Sequence, residues 1–291
     1  MNKQRTLVFV GGHPDDETFG IGGTLAQYAA AGVRVYYVSA TRGEVGTISP
    51  ELMKNGATPG DVRWSELECA AKTLGLAGVI HLGYRDSGMP GSDDNRHPDA
   101  LAAAPIAQVT GRLVRIFREL KPEVVITFDP IGGYRHPDHI AIHKATVEAF
   151  HAAGDYKQYS EVGAPYQPFD FAQDRPQKLY YSVFPRGLIK VAVRILPLFG
   201  QNPRCFGKNK DVDLTKLTEV NYHIHAVIRL NKQAVQTRDK AVECYVSQKE
   251  SRPPSTGMMG LIAHFYGRDD SYMRAYPPPD GRETDLFQGV V

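Results

Sequence analysis

The chain has 291 residues, of which 42% are hydrophobic and 23% are charged, as in an ordinary globular protein. Its 34 basic and 32 acidic residues leave a net charge of +2, which predicts no nucleic-acid partner. The longest apolar stretch, at 187–200, is interrupted by Lys190, Arg194 and Pro197, and no run approaches the roughly 20 apolar residues of a membrane span, so we predict no stable membrane insertion.

Short apolar runs alternate with amphipathic segments in the first half of the chain. Such runs are typical of buried parallel strands, and the segments between them have the spacing and stop signals of helices. In chain order we predict a strand at 7–10, a helix at 20–31, a strand at 33–40, a helix at 63–74, a strand at 79–82, a helix at 101–120, a strand at 124–128 and a helix at 138–152. This alternation predicts an α/β fold, a Rossmann-like doubly wound, mostly parallel sheet with helices on both faces and strand order 3-2-1-4-5.

The second half is less regular, and we predict an irregular C-terminal part. The elements expected there are a loop or insertion at 154–177, strands at 178–184 and 220–228, a helix at 232–246 and a Pro-rich tail from 252 that lies on the body as loop. Residues 187–199 are too apolar for a free loop. They are expected to form a core element or subunit contact, or an amphipathic wall beside the functional site. We interpret 1–291 as one domain, with a core at about 5–152 and pocket and C-terminal elements at about 153–291.

The three cysteines, Cys69, Cys205 and Cys244, are widely separated and include no CxxC pair, which excludes a cysteine zinc site. An odd, sparse set is typical of a reducing cytoplasm rather than of a disulfide framework. The first apolar run is also too short for a signal-peptide core. We therefore expect a cytoplasmic protein.

Two polar motifs directly follow the first and fourth predicted strands. The first is Gly11-Gly12-His13-Pro14-Asp15-Asp16-Glu17, and the second runs from Asp129 to His139 and includes His136-Pro137-Asp138-His139. These two strands are neighbours in the predicted order, so their carboxyl ends border the topological switch point, where ligands bind in such sheets. The two motifs are therefore expected to form one site.

The residue types of the two motifs are typical of a hydrolytic metal site. His13 and Asp16 are three apart at a helix start and can face the same way, and His139 can add a third ligand. Two histidines and a carboxylate suit zinc and leave a fourth position for water, whose pKa zinc lowers toward about 7. Iron(II) accepts the same nitrogen and oxygen ligands.

Further residues of these motifs can transfer or stabilise protons. Asp15 is available as a general base, and His136 can act as an acid or stabilise the oxyanion. Asp138 is expected to hold the ring of His136 and to favour its imidazolium form, as the acidic partner of a catalytic histidine does.

Structural interpretations of the same residues are also open. The acidic residues at 15–17 can favour the positive end of a helix dipole, and the His-Pro pairs can be turn residues with Asp138 as an N-cap. The occurrence of both motifs after core strands favours the site. A third His-Pro-Asp, at 97–99, follows no strand and is expected to lead into the next helix, and His143 is expected on a helix surface. The glycines after the first strand lack GxGxxG spacing, and three carboxylates would face a pyrophosphate, which argues against a dinucleotide site.

The motifs resemble the two signatures of the LmbE-like, or GlcNAc-phosphatidylinositol de-N-acetylase (PIG-L), superfamily. Its His-Pro-Asp-Asp-Glu loop and His-Pro-Asp-His segment are complete here at 13–17 and 136–139. Segments 41–46 and 63–67 also resemble that superfamily, and segments 84–89, 178–181 and 185–186 resemble its bacterial thiol-cofactor deacetylases. The resemblance thus spans about residues 5–250. One departure is Tyr245-Val246-Ser247-Gln248, where many members have His-x-Ser-Gln.

The resemblance implies zinc-dependent hydrolysis of the acetamido group of an N-acetylglucosamine-type sugar conjugate, which releases acetate and a free amine. The roles it implies are metal ligation by His13, Asp16 and His139, a base at Asp15, an acid at His136, polarisation of the carbonyl by Tyr134, and sugar contacts at Arg63 and Asp86. The partner is then a small N-acetylated amino-sugar conjugate, and a homo-oligomer is compatible with the sequence. Two alternatives stay open, namely a metal-dependent esterase or phosphoesterase and a non-catalytic carbohydrate-binding module.

Overall fold

The computed structural model describes residues 4–155, 157–162, 174–184, 186–205, 213–248 and 268–291. Within these residues, seven strands form one sheet in the order β3-β2-β1-β4-β5-β7-β6. The strands are β1 (Thr6–Gly11), β2 (Arg34–Ser39), β3 (Gly78–His81), β4 (Val124–Phe128), β5 (Lys178–Ser182), β6 (Ala226–Arg229) and β7 (Asp269–Tyr276). Strands β1 to β5 are parallel, and β7 runs antiparallel to β5 and β6. The predicted α/β architecture and the order 3-2-1-4-5 are confirmed.

The helices of the first half connect the parallel strands as predicted, with shifted ends. The helices of the described chain are α1 (Asp16–Phe19), α2 (Gly22–Ala30), α3 (Pro59–Leu74), α4 (Ile106–Leu120), α5 (Gly132–Arg135), α6 (Pro137–Ala152), α7 (Arg186–Ile195), α8 (Leu214–Leu217) and α9 (Lys232–Cys244). Helix α3 begins at a capping box between Thr58 and Asp61 and ends at Gly75, whose φ of 77° suits glycine. Local capping signals therefore determine where this helix begins and ends.

The sheet is covered by apolar side chains on both faces, because successive residues of a strand point to opposite sides. On one face Val8 packs with residues of α4 and α6. On the other face Phe9 packs with residues of α2, α3 and α9. All six residues of β1 are buried, which explains the unbroken apolar run that predicts this strand.

The C-terminal part contains a strand that the sequence did not predict. Residues 269–276 were expected as loop but form β7, which lies between β5 and β6. This segment mixes charged and apolar residues, so it has no apolar run of its own and becomes a strand by pairing on both sides. The strand predicted at 220–228 begins only at Ala226. Most of the predicted loop at 154–177 and the start of the tail from 252 lie outside the described residues.

The apolar segment at 187–199 forms most of α7 and a short 3₁₀ helix at Leu196–Phe199. Leu196 is buried, but Leu198 is 80% and Phe199 68% exposed, so the expectation of a core element is wrong for the end of this segment. Helix α7 contacts α8, which in turn contacts α5. No helix in the described ranges combines the length and the apolar character that crossing a bilayer requires.

Cys69 and Cys244 are joined by a disulfide that links α3 to the end of α9, and Cys205 is exposed and free. The expectation of a chain without a disulfide framework is therefore wrong. The two cysteines are 175 residues apart, and they meet because α9 packs against α3, a tertiary contact that residue spacing does not reveal.

This pairing predicts the thiol content of the protein. Of the three cysteines, one should react with a thiol reagent after denaturation without reductant, and all three after reduction. Cys69→Ser should lower the free energy of unfolding by about 2–4 kcal/mol, because the cross-link restricts the unfolded chain. Cys205→Ser is the matched control and should leave stability unchanged. Three reactive thiols in protein purified under oxidising conditions would contradict the pairing.

Candidate active site

The two predicted motifs meet at the carboxyl ends of β1 and β4. These strands are direct neighbours, with Leu7 opposite Val124 and Phe9 opposite Ile126. The loop after β1 and the start of α6 therefore lie side by side, and Nδ1 of His13 is 3.1 Å from Nε2 of His139. Two segments that are distant in the sequence therefore meet at the topological switch point of the sheet, as predicted.

The three predicted metal ligands converge on one point. Oxygens of the Asp16 carboxylate lie 3.4 Å from Nε2 of His139 and 3.8 Å from Nδ1 of His13. Ligands held by zinc at ~2.0–2.1 Å in tetrahedral geometry are about 3.3 Å apart, so these separations fit a single small cation. Within the described residues, two overlapping groups of buried side chains could also hold a metal ion, namely His13, His136 and His139, and His13, Asp86, His136 and Asp138.

Backbone geometry in the first motif orients these groups. The carboxylate of Asp16 accepts hydrogen bonds from the amides of Gly12 at 2.9 Å and His13 at 2.8 Å, and Tyr37 donates its hydroxyl to the His13 carbonyl at 2.6 Å. A Cβ on Gly12 would lie 2.8 Å from Cδ2 of His139, which is too close. The glycine is needed so that the two motifs can approach each other.

The second nitrogen of His13 faces carboxylates. Its Nε2 lies 3.0 Å from Asp138 and 3.5 Å from Asp86. Burial lowers the pKa of His13, but the charges of Asp86 and Asp138 outweigh it, and the net pKa is raised well above the ordinary value. A carboxylate on the far nitrogen of a ligating histidine is the usual arrangement at metal sites, because it orients the ring and increases its basicity.

Asp138 differs from its expected pairing. Its carboxylate lies 3.9 Å from Nδ1 of His136, farther than from His13, and it also accepts hydrogen bonds from the hydroxyl and the amide of Ser87. The backbone amide of Asp138 is the group that contacts His136, donating to Nδ1 at 3.2 Å. The N-cap of α6 is therefore His136 rather than Asp138.

The hydrogen bonding of His136 defines the tautomer of its neutral ring. Because Nδ1 accepts a hydrogen bond, the neutral ring carries its proton on Nε2. Burial and the neighbouring rings of His13 and His139 lower its pKa well below the ordinary value. This ring is thus suited to donate a hydrogen bond at neutral pH. Tyr134, in α5, stands edge-on to His136 and His139 and is 38% exposed.

Asp15 occupies a strained backbone position at the edge of the cluster. Its φ is 113°, a region that costs an L-residue about 1–3 kcal/mol. Burial raises the pKa of Asp15 to about 6, against the lowering effect of the Arg63 charge. A pKa near neutrality suits a general base.

Arg63, an expected sugar contact, lies against Asp15. Its Nη2 donates to the Asp15 carboxylate at 2.9 Å and to the carbonyl of Pro14 at 2.6 Å. Gly43, with a φ of 70°, makes room for the guanidinium, since a Cβ there would lie 2.1 Å from Nη1. The other expected sugar contact, Asp86, accepts from the amide of Gly88 at 2.8 Å and is buried inside the cluster.

Two histidines that the sequence analysis considered lie outside the cluster. His97 is partly exposed in a loop, as predicted for the third His-Pro-Asp. His143 was expected on a helix surface, but it is buried, and its Nδ1 is 2.8 Å from the carbonyl of Phe128.

Sequence reasoning missed Ser87 and assigned no individual role to Glu17, which is fully buried. The available signal for Glu17 was its place in the first motif, and for Ser87 it was its place in the 84–89 segment that resembles related deacetylases.

The fold and the site together define a Rossmann-like α/β protein with a buried histidine–aspartate centre of the hydrolase type. Residues 8–150 match the PIG-L family model, described as GlcNAc-PI de-N-acetylase. Two relatives are each named 1D-myo-inositol 2-acetamido-2-deoxy-alpha-D-glucopyranoside deacetylase. The one from Acidothermus cellulolyticus is 34% identical, with 98% of this chain and 95% of the relative covered. The one from Streptomyces avermitilis is 37% identical, with 99% and 98% covered. The chain belongs to the GlcNAc-PI de-N-acetylase (PIG-L) family.

Solved structures show the same fold. The N,N'-diacetylchitobiose deacetylase of Pyrococcus horikoshii superposes with a TM-score of 0.60 at 21% identity and covers 99% of this chain and 87% of its own. A conserved protein of Thermus thermophilus superposes with a TM-score of 0.55 at 24% identity, with 94% of both chains covered. At these identities the likeness concerns the fold alone.

Proposed function

We propose that this chain is a metal-dependent deacetylase that removes the acetyl group from a small N-acetylglucosamine conjugate. The observation that carries the proposal is the convergence of His13, Asp16 and His139 within 3.1–3.8 Å, with the carboxylate Asp15 next to them in the chain. The full-length relatives support a conjugate of the amino sugar with inositol as the first substrate to test.

The metal that we propose is zinc, with iron(II) as a substitute, held by His13, Asp16 and His139. Two imidazoles and one carboxylate are a ligand set that zinc accepts in hydrolytic sites. A cation in this position supplies Lewis acidity to the amide carbonyl and to water. The carboxylates on the far nitrogen of His13 are consistent with this set.

The side chains of the site can perform the proton transfers of amide hydrolysis. In our proposal Asp15 accepts a proton from the attacking water, whose oxygen bonds to the acetyl carbon. The C–N bond then breaks, and the proton passes to the departing amine nitrogen, which leaves acetate and a free amine. The Arg63 guanidinium supports this role, because its hydrogen bond of 2.9 Å restrains the Asp15 carboxylate.

We further propose that His136 stabilises the oxyanion rather than acting as the acid. A neutral ring with its proton on Nε2 can donate to the carbonyl oxygen as negative charge develops there. Tyr134 is a second donor in this proposal, because its ring stands edge-on to His136 and His139 at the same site. We keep Asp86 as the sugar contact, whereas we infer that Arg63 acts mainly through Asp15.

A substrate panel tests the proposed function against its alternatives. Purified protein is incubated with the GlcNAc–inositol conjugate, N,N'-diacetylchitobiose and p-nitrophenyl phosphate, and free amine, acetate and phosphate are measured. Equal release of amine and acetate that disappears after chelation and returns with zinc is the expected result. Release of phosphate would favour the phosphoesterase alternative. Sugar binding without any product would favour the binding module.

We also keep the single functional unit over 1–291 and the cytoplasmic location as proposals. The near-complete coverage of the relatives supports the first. A reducing cytoplasm would keep the Cys69–Cys244 pair reduced. The cytoplasmic location is therefore tested by trapping the thiols in intact cells and counting them in the recovered protein.

A further inference from the structure

The third carboxylate of the first motif, Glu17, is fully buried and faces away from the metal-ligand cluster. Its Oε2 accepts a hydrogen bond from the backbone amide of Asp15 at 3.1 Å. Its Oε1 accepts from the hydroxyls of Thr18 and of Tyr245, the latter at 2.6 Å. Burying a carboxylate costs free energy unless it is well hydrogen-bonded, and an apolar side chain would fill the same space without that cost. The contacts of Glu17 therefore call for a reason beyond packing.

Tyr245 follows the last residue of α9 and is itself completely buried. Its ring packs against Phe19, with the centroids 5.6 Å apart. The chain on both sides of it is attached to α3. Cys244 is cross-linked to Cys69, and Ser247 donates to the carboxylate of Glu66 from its amide at 2.7 Å and from its hydroxyl at 2.6 Å. The Tyr245 hydroxyl that donates to Glu17 thus belongs to a segment that is attached to α3 on both sides.

Asp15 is consequently held from two sides. Glu17, which is supported by Tyr245, accepts a hydrogen bond from the backbone amide of Asp15. Arg63 of α3 donates a hydrogen bond of 2.9 Å to the Asp15 side chain. The backbone between these contacts has a φ of 113°, which an aspartate does not keep without such restraints. Loss of the amide contact lets this residue rotate toward ordinary φ values, which moves its carboxylate.

We propose that Tyr245 and Glu17 are positioning residues for Asp15, so that the end of α9 controls where the base carboxylate lies. This inference rests on the proposed function, in which Asp15 is the base. Tyr245 acts through its hydrogen bond to Glu17, which in turn holds the Asp15 backbone. Tyr245, the residue at which this chain departs from the His-x-Ser-Gln pattern, thus supports the position of Asp15 through Glu17.

The test compares Tyr245→Phe with Tyr180→Phe. Tyr180 is an equally buried tyrosine of β5 that donates to the carboxylate of Glu283 at 2.7 Å, so both changes remove one hydroxyl from one buried tyrosine–carboxylate pair. For Tyr245→Phe we expect kcat to fall about tenfold, since a small misplacement of a reacting group has large effects on rate, with KM and metal content unchanged. For Tyr180→Phe we expect a lower melting temperature and an unchanged kcat.

A crystal structure of Tyr245→Phe supplies a readout that does not depend on activity. We expect Asp15 to leave the left-handed region or to show two conformations. If the variant does not fold, Glu17→Gln replaces it, because the amide keeps the shape but cannot accept from both Asp15 and Tyr245. A wild-type kcat with Asp15 unmoved overturns the positioning role, as does a loss that appears only as weaker substrate or metal binding.

Asp15→Asn, measured in parallel, separates this proposal from the proposed function. If Asp15→Asn is inactive while Tyr245→Phe is fully active, only the positioning role fails. If the wild type releases acetate and Asp15→Asn does so equally fast, the assignment of the base fails, and the positioning role fails with it.

Discussion

Replacing Asp15 with asparagine is expected to lower kcat by about 10²–10⁴-fold while the protein keeps its full metal content. The amide is isosteric and can still accept a hydrogen bond from Arg63, which contacts this side chain at 2.9 Å. It cannot take a proton from water, so only the chemical step should suffer. The measurement is acetate release under saturating substrate, together with metal analysis of the same preparation.

The pH dependence provides an independent check of the same assignment. A base must be ionised to work, so the rate falls as pH decreases through the pKa of Asp15. Burial raises this pKa to about 6 in the metal-free protein, and a bound cation favours the ionised form and shifts it lower. The acidic limb of kcat/KM is therefore expected at or below about pH 6, and it should be absent from the residual activity of Asp15→Asn.

The third His-Pro-Asp supplies a matched control. Asp99 occupies the same place in its His-Pro-Asp as Asp15 does in the first motif, but it lies in a loop and its side chain is 80% exposed. Asp99→Asn should leave the rate and its pH profile unchanged. Near wild-type turnover by Asp15→Asn would show that another group is the base.

Replacing His139 with alanine is expected to remove the metal and with it essentially all activity. The ring supplies one of three converging ligand groups, and two remaining ligands hold zinc weakly. Metal content after dialysis, measured by mass spectrometry, should fall from about one ion per chain to near zero. His13→Ala should behave in the same way.

His143→Ala is the control for this change, because it removes a buried histidine from the same helix, one turn further on. Its Nδ1 contacts the carbonyl of Phe128 rather than the cluster. It should therefore lower the melting temperature and keep the metal. Full metal content in His139→Ala would mean that the ligands are the other buried set, which consists of His13, Asp86, His136 and Asp138.

The sequence alone was sufficient for the parallel half of the fold and for the location of the site. An unbroken apolar strand such as β1, followed by an amphipathic helix, is recognisable from periodicity within a short window. Right-handed crossovers and the switch-point rule then place the loops after β1 and β4 together, because few topologies satisfy them. The convergence of His13, Asp16 and His139 follows from these general rules.

Tertiary packing determined the features of the structure that those rules do not predict. Strand β7 exists because it pairs between β5 and β6, and the Cys69–Cys244 disulfide because α9 lies on α3. The same holds for individual partners. The carboxylate of Asp138 lies closer to His13 than to its sequence neighbour His136. Periodicity and capping depend on neighbours a few residues away, whereas these pairings depend on ångström-scale distances between elements far apart in the chain, which only the folded protein determines.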